Sequence, residues 1–297
     1  MRQSMGWLVL FFFSSCAFAT FLPPNDLYKQ DRILGFDQTT MTEGEFNQVI
    51  DRVYSAMEPS VRLHGGVLSV SRLWTDSTVN ANSMQFFSQW HVNMYGGLAR
   101  RPEMNQDGFT LVMCHEMGHH LGGFPFVGNF IGRWAASEGQ ADYFATQVCA
   151  RKVWAESKAE NAKYRFDVAP KVKEKCDESW KNQDDQNLCY RIARGARALA
   201  FLLHTLKKDS DPDFSTPDPL IVTKTNTTYP SVQCRMDTYL NGALCGTQFD
   251  LSVIPGRTKL GFENGITGER EAAKYSCFKT AESDLGVRPA CWFKQGI

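Results

Sequence analysis

His115-Glu116-Met117-Gly118-His119 sets two histidines four residues apart, and nineteen residues after His119 stands Glu138, followed at the same interval by Asp142. Residues four apart share one face of an α-helix, so each pair predicts one side of a helix, and the two faces must meet for the side chains to converge. Two imidazoles and a carboxylate form the donor set of a zinc site that leaves a fourth position to water, whose pKa falls to about 7 there. Glu116 is the carboxylate beside the ligands, placed to take the proton of that water. Of Glu138 and Asp142, one can bind the metal and the other can accept the second ring proton of a ligand histidine, which fixes its tautomer; Asp142 fits the orienting role. The stretch from Phe109 to Leu121 has helical length, with Asp107 near its start and Gly122-Gly123 at its end. Pro125 stands at the sixth position after His119, where a third histidine ligand would continue the metzincin pattern, so that pattern fails.

Four stretches together resemble the gluzincin peptidases related to the CAAX prenyl protease and HtpX-like proteases. They are Tyr95-Gly96-Gly97-Leu98, His115 to His119, Glu138 to Asp142, and Tyr229-Pro230 with Arg235 five residues beyond the proline. The resemblance spans about residues 90 to 236. It implies an α+β, zincin-like metallopeptidase fold with one catalytic Zn2+ held by His115, His119 and Glu138. It also implies that Arg235 and Tyr229 look toward the metal and stabilise the oxyanion. Tyr229 stands where the family has histidine; its phenol is still a donor at neutral pH, and His204 is the alternative imidazole for that place. In the family, the strand before the active-site helix is the edge on which a substrate peptide lies extended.

Residues 1–19 read as a signal peptide, with Arg2, the apolar run Trp7 to Phe13, and Ala17-Phe18-Ala19 before Thr20. This predicts export to the periplasm or the medium. Cys16 admits a rival reading as a lipidated cysteine, for which Phe13-Ser14-Ser15 is a poor lipobox. Eight cysteines remain after Thr20, an even number that predicts disulfides in an oxidising compartment. Short separations favour Cys176 with Cys189, Cys234 with Cys245, and Cys277 with Cys291. Cys114 and Cys149 then either clamp the two metal-bearing helices or leave Cys114 as a packed free thiol.

Residues 20–297 are long enough for one domain with a full core. Thr42 to Glu45 reads as a capping box opening a helix with Phe46, Val49, Ile50, Val53 and Met57 on one face. Strands are predicted at Val67–Trp74, Val79–Gln85 and Gln89–Tyr95, forming a small antiparallel or mixed sheet. Helices are predicted from Ser137 to about Asn161 and from about Asn187 to Lys208, and the C-terminal part reads as a disulfide-bonded elaboration. The Asp/Pro-rich run at about 208–229 reads as a surface connection or a lid over the cleft. Basic and acidic residues balance at 32 each without a basic tract, which argues against nucleic acid as a partner. No segment after the signal is long and apolar enough to span a bilayer.

These readings converge on a zinc endopeptidase that acts on extended or unfolded polypeptide, with Glu116 as general base and proton donor to the leaving amine. Two alternatives stand beside it: a zinc-containing but non-catalytic chaperone or scaffold module of the cell envelope, and a zinc amidase acting on a non-protein substrate.

Overall fold

A computed structural model describes residues 19–29, 41–127, 133–207, 211–258, 261–262, 265–280 and 283–295. The signal-peptide reading, Cys16 included, falls outside the described residues up to position 18, as do 208–210 of the Asp/Pro-rich run. The fold is α+β. A four-stranded sheet, β1 (Ala19–Thr20), β2 (Val67–Leu73), β3 (Ala81–Phe86) and β4 (Gln89–Tyr95), has the spatial order β1-β3-β4-β2. β3 and β4 form a hairpin, paired from Phe86 opposite Gln89 to Ala81 opposite Met94. Phe87 opens its two-residue turn at φ 51°, the positive angle that matches a tight hairpin to strand twist.

β2 runs parallel to β4 and β1 antiparallel to β3, so the sheet is mixed. The strand before the helix that carries the histidine motif, β4, is therefore interior. This corrects the expectation that it forms the substrate edge: β2 and β3 cover both of its sides, and the flank of β3 is what β1 occupies.

α1 (Glu43–Leu63) begins at the predicted capping box: the Glu45 amide donates to the Thr42 hydroxyl at 3.3 Å, and the Thr42 amide donates to the Glu45 carboxylate at 2.8 Å. Its apolar face, from Phe46 to Val61, is buried. After the short α2 (Gly96–Ala99) comes α3 (Gln106–Leu121), capped by the Asn105 side chain, which accepts from the Gly108 amide at 2.8 Å. α3 is buried on nearly every side, as a helix at the centre of a fold must be. It lies among α1, α4 (Glu138–Phe144) and α8 (Gln183–Leu206). The helix predicted from Ser137 to Asn161 is more broken than its pattern suggests. α4 passes through a π-helical turn (Ala145–Cys149) into α5 (Ala150–Trp154), and α6 (Lys158–Lys163) follows separately. α7 (Pro170–Ser179) precedes α8, and α9 (Val232–Leu244) packs against α4 and α8. No helix among the described residues is long and apolar enough to cross a membrane.

Disulfides join Cys114 to Cys149, Cys176 to Cys189, Cys234 to Cys291 and Cys245 to Cys277. The first clamps α3 to the turn that continues α4, as one of the two readings of Cys114 has it. The pairings of Cys234 with Cys245 and of Cys277 with Cys291 are corrected. Cys234 and Cys245 lie eleven positions apart along α9, about 16 Å at 1.5 Å per residue, whereas a disulfide spans about 4.4–6.8 Å between Cα atoms. Each end of α9 instead ties to the C-terminal segment.

The part of the Asp/Pro-rich run that is described is fastened down. The Val222 amide donates to Ala290 at 2.9 Å and the Asn226 amide to Trp292 at 2.7 Å. The Asp218 amide donates to Asp237 on α9 at 2.7 Å. These bonds strap it to the C-terminal segment and to α9. Burial pushes the Asp237 carboxyl up to about 6. A carboxyl raised above its unfolded value stabilises the fold fully below about pH 4, and that contribution is lost as pH rises through about 6. Asp237→Asn should therefore gain in melting temperature relative to the wild type between pH 4 and 6. A difference that stays flat over that window would contradict the burial account.

Candidate metal centre

The two predicted faces meet where α3 crosses α4. Gly118, the fourth residue of the histidine motif, permits the approach: a Cβ there would lie 2.7 Å from the Ala141 carbonyl oxygen and 2.8 Å from its Cα. Contacts under 3 Å with backbone force the helices apart. Gly118→Ala should consequently weaken metal binding about 10-fold or more, by opening the crossing that sets the ligand positions. Zinc competition titration reads this directly, and unchanged affinity would show that the crossing tolerates a methyl.

The His115 and His119 rings stand edge to face with centroids 4.6 Å apart. The Nδ1 atom of His115 lies 2.7 Å from Asp142 Oδ1, and that of His119 lies 2.7 Å from the Ala136 carbonyl oxygen. Both Nδ1 positions thus donate to acceptors behind the rings, which turns both Nε2 lone pairs forward. Glu138 closes the triangle, with Oε2 3.3 Å from His115 Nε2 and Oε1 3.7 Å from His119 Nε2. His115 Nε2, His119 Nε2 and Glu138 Oε2 are all buried without a hydrogen-bond partner. Three orphaned donor atoms in one small space are costly unless a cation satisfies them. His115, His119 and Glu138, whose ligand atoms lie within 4.8 Å of one another, can hold a metal ion.

Behind this group lies a charged support. Arg235 on α9 grips Asp142 with two bonds, Nε to Oδ2 at 2.7 Å and Nη2 to Oδ1 at 2.8 Å, and the Tyr239 hydroxyl donates to Oδ1 at 2.5 Å. Burial opposes charge on Asp142, yet Arg235 and His115 outweigh it and hold its carboxyl down at about 2. Without a metal, burial likewise opposes a proton on His115, but Asp142 and Glu138 favour it and raise its pKa to about 9; a bound cation would take that proton's place at Nε2.

Glu116 sits beside the triad, fully buried. The Ser83 hydroxyl, from β3, donates to Glu116 Oε2 and lies 3.1 Å from its carbonyl oxygen, while Oε1 has no partner. Without a metal, burial pushes the Glu116 carboxyl up to about 8; a cation held by the neighbouring ligands would draw it back toward the ionised form a base requires. A carboxyl with one oxygen held and the other free is equipped to accept and return a proton.

Both expected oxyanion donors reach this neighbourhood, but in this structure they are engaged. Arg235 Nη1 donates to the Phe21 carbonyl at 2.9 Å, and the Tyr229 hydroxyl donates to the Thr20 carbonyl at 2.8 Å. His204 pairs with Asp211 at 3.2 Å and makes no contact with the metal group among the described residues. The remaining histidines are structural: His64 meets the Leu251 carbonyl, His91 meets Ser69, Ser71 and Asn93, and His120 is stacked between Trp90 and Trp134. Three participants escaped the sequence reading. Tyr239 had a usable signal, being four residues beyond Arg235 on the same helix. Ser83 and Phe21 had none, because only the packing of β3 on α3 and the pairing of β1 with β3 bring them to the site. No protein-family model, curated protein or solved structure matches the chain.

Proposed function

We propose that the protein is a zinc-dependent endopeptidase of zincin-like type acting on extended polypeptide, and that it belongs with the gluzincins its motifs resemble. The observation that carries this reading is the trio of unpartnered buried atoms on His115, His119 and Glu138, with a second, half-satisfied carboxylate on Glu116 beside them. A site kept for structure alone has no use for that extra carboxylate next to an open position. Zinc suits two neutral imidazoles and one carboxylate, and when bound it supplies Lewis acidity to a water and to a substrate carbonyl.

The chain's own groups do the rest. Asp142, itself locked by Arg235 and Tyr239, holds His115 in the tautomer that offers Nε2. Glu116 takes the proton from the attacking water at its free Oε1 and returns it to the leaving amine, while Ser83 fixes the other oxygen. Tyr229 and Arg235 present N–H and O–H donors to peptide carbonyls, the arrangement that stabilises a developing oxyanion. The eight paired cysteines accord with an exported protein working in an oxidising compartment.

Mass spectrometry of products tests the substrate class. Zinc-loaded protein incubated with unfolded casein should yield internal peptides with new N-termini. Intact casein alongside hydrolysed non-peptide amides would overturn the endopeptidase in favour of an amidase.

A further inference from the structure

The metal group is almost wholly sealed, with His115, Glu116 and Asp142 fully buried and Glu138 at 6% exposure. No polypeptide reaches such a site without something moving. What covers it is identifiable. Ala19 and Thr20 pair antiparallel with Ser83 and Asn82 along β3, and the Phe21 amide donates to the Ala81 carbonyl at 3.1 Å. The phenyl ring of Phe21 stands edge-on to His115 with centroids 5.2 Å apart, and the Arg235 guanidinium lies 4.8 Å from the centre of that ring. Two successive backbone carbonyls of the segment, Thr20 and Phe21, accept from Tyr229 and Arg235. Opposite Ala19, Ser83 holds Glu116. A strand added to a sheet edge, with consecutive carbonyls held by site donors and one side chain packed against a ligand histidine, is how an extended peptide is recognised.

We infer that the flank of β3 facing α3 is a polypeptide-binding track, that the chain's own Thr20–Leu22, the segment left after the cleavage expected before Thr20, fills it here as an intramolecular ligand, and that the track takes an aromatic side chain where Phe21 sits. The inference rests on the peptidase reading for the track's purpose, but not for its existence. Substrate must displace the segment, so the apparent affinity for any incoming peptide is lowered by the fraction of molecules in which the segment is seated. The latch lies outside the metal group: Asn80 accepts from the Leu22 amide at 2.9 Å and donates to the Leu22 carbonyl at 3.0 Å. Asn80 is half-buried, so water can replace it without opening the core.

The probe is a fluorescently labelled, end-blocked peptide of the sequence Ala-Thr-Phe-Leu-Pro, titrated into the purified protein and into Asn80→Ala. Removal of Co2+ by EDTA is followed by absorbance in the same samples. The track account expects the peptide to bind Asn80→Ala about tenfold tighter than wild type, to lose about tenfold when its Phe is replaced by Ala, and Co2+ to be stripped faster from the variant. Phe21→Ala, which empties the aromatic position, should likewise bind the peptide more tightly and lose Co2+ faster than the wild type. Equal peptide affinity for Asn80→Ala and wild type, with equal rates of Co2+ loss, would overturn the inference and leave the segment a plain structural strap. Tighter peptide binding by Asn80→Ala without hydrolysis would support the track while counting against the peptidase. Hydrolysis insensitive to Asn80→Ala would do the reverse.

Discussion

Glu116→Gln is expected to bind one equivalent of zinc and to lose about 10²- to 10⁴-fold in peptide hydrolysis, the range supplied by a positioned acid–base group. The substitution is nearly isosteric, and the Ser83 hydroxyl can still donate to the carboxamide oxygen. The fold should not suffer, because burial already opposes charge at this position, pushing the Glu116 carboxyl up to about 8. What disappears is the proton acceptor at Oε1. Zinc content by elemental analysis, paired with turnover of a fluorogenic peptide, separates the role of base from that of ligand. Glu138→Ala in the same assay should lose metal and turnover together. Turnover surviving in Glu116→Gln would remove Glu116 from the chemistry.

Asp142→Ala should carry the largest structural cost of any single change at the site. Its carboxylate accepts from His115, from two nitrogens of Arg235 and from Tyr239, all of them buried. Removing one partner of a buried ion pair strands the other charge, at about 3–5 kcal/mol. It also frees the His115 ring, and loss of such a supporting carboxylate costs about 10–100-fold in metal affinity. The two effects separate in a double variant. Asp142→Leu with Arg235→Met replaces the pair by apolar volume and should recover much of the stability, since a buried ion pair is often no better than good packing. It should not recover the metal affinity, because His115 still lacks its acceptor. Urea unfolding of the metal-free proteins and zinc competition titrations measure the two quantities. Restored affinity in the double variant would contradict the orienting role.

The parts of this site legible in the sequence are those governed by helical period. His115 with His119 and Glu138 with Asp142 each repeat at one turn, and both pairs face the common point. The Thr42–Glu45 capping box and the apolar face of α1 were equally local and equally plain. Cys114 and Cys149 sit on the two elements that the metal group brings together, so their bond follows from the same geometry. Sequence proximity misled where a helix intervened: Cys234 and Cys245 are near in number and distant along α9, and each pairs with a cysteine far ahead. The parallel pairing of β2 with β4 and the arrival of β1 at β3 depend on long-range packing that leaves no periodic trace. For that reason Ser83, Thr20 and Phe21 were invisible as neighbours of Glu116, Tyr229 and His115. Arg235 was placed at the site by resemblance alone, and the three nitrogens it commits to Asp142 and Phe21 give that placement its physical content.

Zinc titration into metal-free wild-type protein, with hydrolysis of unfolded casein followed in the same samples, bears most directly on the central claim. Activity should rise in proportion to bound zinc, reach its plateau at one equivalent, and be absent before the first addition. One equivalent of tightly bound zinc with no hydrolysis at any loading, in a variant such as Asn80→Ala as well as in the wild type, would contradict the peptidase and leave a metal-stabilised binding module.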